Sequence, residues 1–258
     1  VGMDEIPDYM GKAFVAIEDE RFYQHNGIDF KSIIRAGYQF FKTGGEEAQG
    51  ASTITQQLLK NTVFTDWTSE GNNKIKKIKR KIQEQYLALE ITKYYSKDEI
   101  LLRYMNAINL GQNTLGVESA SLRYFGKHCS ELTISECAVI ASITQNPSKY
   151  NPIRHPEENV KRREKCLNKM LELGFISQTQ YDEAMADTDA VYERIGLYDI
   201  DYQEANATTG SYFSDAVYEQ VKQDLILSGY NENMAETLLT SGGLRVESTL
   251  DPKIQAIL

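Results

Sequence analysis

The sequence is short of cysteine, histidine and positive charge, and it has no long apolar run. Each shortage removes a class of explanation. The three cysteines, Cys129, Cys137 and Cys166, have no CxxC spacing, and an odd number cannot close into a complete disulfide framework. They are expected to be buried free thiols, because cysteine commonly packs as a small apolar residue. The three histidines, His25, His128 and His155, lie too far apart to assemble a local zinc signature. A formal net charge of −9 argues against a nucleic-acid partner, since binding to a phosphate backbone needs a net or clustered basic surface. No stretch approaches the roughly 18 uninterrupted apolar residues of a membrane-spanning helix, and no signal peptide opens the chain at Val1. The expectation is a chain that is either cytosolic or trimmed from something longer.

What is present is ordinary globular material. With 258 residues, 41% of them hydrophobic and 25% charged, the chain can bury a substantial core. Helical periodicity dominates the first two thirds. Met10, Ala13, Phe14 and Ile17 recur at three- and four-residue spacing and predict a helix over 8–22. Ile75, Ile78, Ile82, Tyr86 and Leu89 repeat the pattern over 74–94, and this stripe is expected to be the buried face. Further helices are expected near 29–42, 53–61, 97–107, 115–124, 132–144 and 157–173, the last ending at Gly174. Ser177 can cap another running to Ala186. A glycine-rich polar segment, 43–51, reads as a mobile loop. After Asp187 acidic residues gather with few bases, which marks a boundary between 1–187 and 188–258. Beyond it the pattern reads helix, helix and an extended segment over 244–249. Asn206-Ala207-Thr208 matches a glycosylation sequon, a motif short enough for chance.

Three constellations can carry chemistry. The first, Glu18 to Gly27, sets Glu18, Asp19 and Glu20 beside Phe22 and His25, and on pattern alone it reads first as a solvated acidic face. The second concentrates hydroxyls and amides in Ser52, Thr53, Thr55, Gln56 and Gln57, followed by Lys60 and Asn61. It reads either as helix capping by Ser52 or as hydrogen-bonding groups for a sugar or phosphate. The third lies in the one basic run of an acidic chain, Lys74 to Lys81. At about 100° per residue, Lys77, Arg80 and Glu84 fall opposite the isoleucine stripe. They are either a surface pair or a wall that neutralises phosphate.

Taken in order, these segments resemble the motifs of peptidoglycan glycosyltransferases, the lysozyme-like modules of class A penicillin-binding proteins. The resemblance continues through Lys97 to Asn106 and Arg162 to Leu167. Gly116 to Ala120, Tyr124 to Lys127 and Gln145 to Pro152 also look like family positions, so the similarity covers about 5–186. It implies a mainly α, two-lobed fold with a head and a membrane-facing jaw, followed by a short α/β linker. On this reading 1–187 is the glycosyltransferase domain, and 188–258 is the linker and start of a truncated transpeptidase region. The segment 242–252 resembles the approach to that region, and no Ser-x-x-Lys motif of an acylating transpeptidase occurs. Ala51 stands where the family usually has glycine, and Asn109-Leu110 where it commonly has an aromatic pair.

The resemblance implies polymerisation of lipid II, with a lipid-linked glycan as donor, inversion at the anomeric carbon and release of lipid pyrophosphate to form β-1,4 linkages. Glu18 matches the general base. Glu84 matches the second carboxylate, which orients Arg80 or holds a divalent metal (magnesium or manganese), with no cofactor obligatory. Lys60 and Arg80 match pyrophosphate positions. Asp19, Phe22, His25, Ser52, Thr53, Thr55, Gln56, Gln57, Asn61, Lys81, Tyr104 and Asn106 complete the implied substrate site. Ile33 to Phe41 reads as either a core helix or an interfacial one, and the family's hydrophobic jaw favours membrane contact by Tyr38, Phe40 and Phe41. The implied location is the outer face of the bacterial cytoplasmic membrane, with the anchoring helix and a transpeptidase domain elsewhere in the full protein. A moenomycin-like phosphoglycolipid is the expected inhibitor. A lysozyme-like hydrolase and a noncatalytic lipid II-binding module are the rival readings.

Overall fold

Four helices begin with the same device. Thr53, Ser96, Thr133 and Ser177 each accept a hydrogen bond from the backbone N–H three residues on, and Gln56, Glu99, Glu136 and Gln180 return a side-chain bond. The reciprocal pair satisfies two amides that a helix start otherwise leaves unpaired. Thr53, rather than Ser52, is thus the cap of its helix.

The computed structural model describes residues 1–43, 50–64, 74–196, 198, 212–241 and 246. Among these the chain is helical: α1 Asp8–Glu18, α2 Phe30–Thr43, α3 Ile54–Thr62, α4 Lys74–Ile91, α5 Lys97–Ala107 and α6 Gly116–Phe125. These are followed by α7 Ile134–Ala141, α8 Pro156–Glu172, α9 Gln178–Ala186, α10 Thr188–Glu193, α11 Tyr212–Leu227 and α12 Glu232–Ser241. The helix expected over 8–22 breaks at Glu18, and a short 3-10 turn, Phe22–Gln24, follows. The loop expected at 43–51 falls largely on 44–49, outside the described residues. So do the sequon and all of the extended segment at 244–249 except Val246.

Among the described residues two apolar clusters set the architecture around the cleft. The larger, the head, has α1 packed on α7, α8 and α5, with Phe14, Tyr104, Ile140, Cys166 and Met170 fully buried. All three cysteines are buried free thiols there. The smaller cluster joins Ile28, Leu59 and Ala88, with Ile33, Phe64, Leu87 and Ile91 packed against it. Helix α3 belongs to both, since Ile54 and Leu58 enter the large core and Leu59 the small one. Any group carried by α3 therefore lies at the seam. Gly27 brings α4 close: its φ is +87°, and a Cβ there would sit 2.0 Å from the Ala88 carbonyl oxygen. Only glycine permits both the backbone angle and the approach.

Helix α4 is turned opposite to its expected orientation. Ile75, Ile78, Ile82 and Tyr86 are all at least 60% exposed, while Glu84 and Ala88 are fully buried. The buried positions 84 and 88 and the half-buried 87 and 91 follow helical spacing, so the inward face is the one carrying Glu84. Periodicity located the apolar stripe correctly but not what it faces. The packed head also continues past 187. Val191 of α10 lies fully buried in the main core, and the Tyr192 hydroxyl donates to Asn159. The acidic composition after Asp187 hid this short helix.

Candidate active site

The seam between the clusters opens into a cleft of about 360 Å³, walled by the end of α1, the start of α3, α4 and one face of α8. Glu18, the last residue of α1, lines it with an 8% exposed side chain. The Glu18 carboxylate is tightly held. Oε1 accepts from the Thr144 hydroxyl and from Arg162 Nη2, each at 2.5 Å, and Oε2 accepts from Gln57 Nε2 at 2.8 Å. Gln57 is held in turn, because its Oε1 accepts from the Tyr104 hydroxyl at 3.1 Å. Burial, together with the Glu18 charge, keeps the Tyr104 phenol well above the usual range, so it stays a donor.

The opposite wall is cationic. Lys60 on α3 and Lys81 on α4 line the cleft together with Ser52 and Glu84. Lys81 Nζ donates to Ser52 Oγ at 2.8 Å and to Glu84 Oε2 at 2.9 Å, while Arg80 pairs with Glu84 Oε1. Buried Glu84 thus serves two cations at once and fixes them relative to the helix. With both oxygens so engaged, its chemistry is that of a counter-ion. No group of three or more His, Cys, Asp or Glu among the described residues could hold a metal.

Several implied substrate residues also brace the scaffold around the cleft, Asp19 and Thr53 while lining it. Asp19 Oδ2 accepts from the backbone N–H of Ile54 at 3.0 Å and pairs with His25 Nε2, which ties the end of α1 to the start of α3. Phe22 is fully buried in the main core, under the Lys97 ammonium 4.4 Å from its ring. Burial of Lys97 lowers its pKa, with the Asp19 charge opposing. Thr53 donates to the Gly27 carbonyl at 2.7 Å, and Thr55 is fully buried. Gln56 gives its Oε1 to the capping box, while its Nε2 has no partner among the described residues, and the residue lines the cleft. Asn61 is half-buried and does not line the cleft, and Asn106 binds Val1 and the Leu102 carbonyl. On α2, Tyr38 is 68% exposed, whereas the side chains of Phe40 and Phe41 lie outside the described residues.

Comparison with known proteins names this arrangement. Residues 1–171 match the protein family described as Transglycosylase. The chain belongs to the transglycosylase family. Over 264 residues it is 40% identical to penicillin-binding protein 1A of Clostridium perfringens (strain 13 / Type A), covering 99% of this chain and 37% of that protein. Penicillin-binding protein 1F of Bacillus subtilis (strain 168) is 38% identical over 255 residues, covering 99% and 32%. The chain thus spans about a third of the length of the curated relatives it matches. Among solved structures, penicillin-binding protein 1A from Haemophilus influenzae aligns over 90% of this chain and 21% of its own, at 22% identity and a TM-score of 0.44.

Other residues of this transglycosylase-family site had no role assigned from sequence. Arg162, Lys165 and Lys169, spaced along one face of α8, line the cleft, as do Gln145 and Arg35. Their helical spacing was a signal available in the sequence. Glu20 joins Arg35 of α2 to Lys169 of α8 across the cleft mouth, at 3.4 and 3.5 Å. Burial pushes the Glu20 carboxyl up, but Lys169 and Arg35 outweigh it and hold the group below the usual range.

Proposed function

We propose that this chain polymerises lipid II into peptidoglycan glycan strands by inverting glycosyl transfer. The observation that carries the reading is the cleft itself, with a held carboxylate on one wall and cations on the other. Glu18 takes the proton of the acceptor 4-hydroxyl as that oxygen attacks the anomeric carbon of the lipid-linked glycan. The bond from that carbon to the phosphate oxygen breaks on the opposite face, so an α-linked phosphate becomes a β-1,4 glycoside. The lipid pyrophosphate leaves as a stable anion with the bonding pair and needs no general acid. Lys60, Lys81 and Arg80 meet the charge where it develops, with Arg80 and Lys81 preorganised by Glu84. Ser52, Gln57 and Gln56 present polar groups to the sugars, while Asp19, Phe22, His25, Thr53, Thr55 and Tyr104 keep α1, α3 and α5 in register.

The small lobe supports membrane contact. Phe30, Ile34 and Tyr38 make an exposed stripe at four-residue spacing along α2, and Ile75, Ile78, Ile82 and Tyr86 make another along lysine-rich α4. An apolar face flanked by lysines suits the boundary between headgroups and acyl chains. Among the described residues no helix is long and apolar enough to cross a membrane. In this reading the chain works at the outer face of the cytoplasmic membrane, as part of a longer protein carrying an anchor and a transpeptidase domain.

The test is incubation with lipid II and, separately, with mature peptidoglycan, each with and without a moenomycin-like phosphoglycolipid. Glycan ladders from lipid II, suppressed by the inhibitor, are expected. Cleavage of mature peptidoglycan without elongation would make the chain a hydrolase. Tight lipid II binding with no product would make it a binding module.

A further inference from the structure

The grip on Glu18 is uneven between its two oxygens. A carboxylate oxygen has two lone-pair directions, and both of those on Oε1 are taken, by Arg162 Nη2 and the Thr144 hydroxyl. Oε2 carries one bond, from Gln57. The Thr144 hydroxyl also lies 2.8 Å from the Ala141 carbonyl, but its single proton goes to the ionised acceptor, which makes the stronger bond. One lone-pair direction on the carboxylate therefore remains for a substrate proton, and it is on Oε2.

Arg162 is itself held from several sides. Its Nη1 donates to Gln145 Oε1 at 2.9 Å, and its guanidinium carbon lies 4.9 Å from the Tyr150 ring centroid. Gln145 reaches that position from a left-handed backbone with φ of +68°, which a non-glycine residue adopts only where its surroundings enforce it. The Arg162 side chain is 10% exposed, and its buried Nε has no partner among the described residues. The group is fixed to serve Glu18 rather than to satisfy all its own donors.

We infer that Arg162 is the positioning residue that saturates Oε1 of Glu18, so that Oε2 receives the acceptor proton. The inference rests on the proposed role of Glu18 as the base. The proton passes from the acceptor hydroxyl to Oε2 as the acceptor oxygen bonds to the anomeric carbon. The phosphate oxygen departs with the pair of the bond that breaks, and Arg162 keeps its own protons. A carboxylate free to rotate would offer either oxygen at random and lose the alignment on which the effective concentration of a base depends.

The experiment measures kcat and KM for lipid II polymerisation by the full chain carrying Arg162→Met, Arg162→Lys, Arg162→Ala or Thr144→Val, with thermal melts alongside. Arg162→Met is expected to lower kcat about 100-fold while KM stays within about threefold, the signature of an interaction that matters for the chemical step. Dilute guanidinium chloride, below denaturing concentration, should restore part of the loss in Arg162→Ala, and Arg162→Lys should retain more than Arg162→Met. Thr144→Val should cost about tenfold, and combining it with Arg162→Met should cost less than the product of the two, because they share one oxygen. Wild-type kcat in Arg162→Met, or a loss confined to KM and not rescued by guanidinium, would overturn the inference. If Arg162→Met fails to fold, wild-type kcat in Thr144→Val would overturn it instead. An active wild type with an inert Glu18→Gln and a normal Arg162→Met would sink this inference alone, whereas an active Glu18→Gln would sink the functional reading beneath it.

Discussion

The head buries Arg163 completely, whereas the small lobe leaves Ile78, Ile82 and Tyr86 at least 60% exposed. In the head the buried charges of Arg163 and Glu136 are each met by several partners, although the Arg163 Nε has none among the described residues. The guanidinium of Arg163 donates to Thr188, Ser135 and the Ala184 carbonyl, which pins α8 to α7, α9 and α10. Buried Glu136 accepts from Lys127, Arg194 and the Thr133 amide. In the small lobe three buried apolar residues form the cluster and the isoleucines look outward. The contrast teaches that an amphipathic pattern identifies an apolar face without saying what will cover it. In the head the cover is protein, and in the small lobe we propose that it is lipid.

Breaking the contrast at the cleft should have the largest effect. Lys60→Ala or Lys81→Ala removes a cation lining the cleft and should lower kcat by about 10²- to 10³-fold, the usual cost of losing one preorganised charge-stabilising group. Quantified glycan ladders would show it, and the loss should exceed any change in melting temperature. Next comes the outer face of α4. Replacing Ile78, Ile82 and Tyr86 with serine should weaken binding to anionic vesicles by about 100-fold, given roughly 1.5 to 3 kcal/mol for fully burying one such side chain and only partial burial here. The same substitutions should leave the melt in detergent-free buffer nearly unmoved, because exposed sites away from special contacts usually shift stability within about 0.5 kcal/mol. Unchanged vesicle binding would remove the lipid cover from the account.

In the head the expected effect is on stability alone. Glu136→Gln should cost about 2 kcal/mol in denaturant unfolding, the scale of hydrogen bonds to a charged group, without altering vesicle binding. The smallest effect is on pH dependence. Burial pushes the Glu136 carboxyl up, but Lys127 and the Thr133 N–H outweigh it and hold its folded pKa below the ordinary 4.5. A depressed carboxylate binds fewer protons when folded than when unfolded, so its contribution is fully present above pH 4.5 and is lost as pH falls through the folded value. Stability measured from pH 6 to 3 should fall less steeply in Glu136→Gln than in the wild type.

Much of this was legible in the sequence. Helices appeared where periodicity was strong, and the cap at Ser177 was legible too, whereas the cap of α3 was read as Ser52 and is Thr53. The side of α4 was not legible, because Gly27 sets it through a close backbone approach between residues far apart in sequence. Helix α10 was missed because acidic residues on its exposed face outweighed the single buried Val191. Glu18 stood out at the end of an amphipathic helix, and Asp19, Phe22 and His25 beside it also brace the scaffold, Asp19 from the cleft lining. Which members of a polar cluster face a ligand depends on tertiary contacts that spacing does not encode. Arg162 was visible as a motif residue, yet its partner Glu18 lies 144 positions away, and only the fold brings them together.

The most direct test of the central claim is lipid II polymerisation by Glu18→Gln, a substitution that keeps the shape of the side chain and removes its basicity. The account predicts a fold intact by circular dichroism, retained vesicle binding, and polymerisation reduced at least about 10²-fold, the lower range for a lost general base. Glycan strands formed at the wild-type rate by that variant would contradict it.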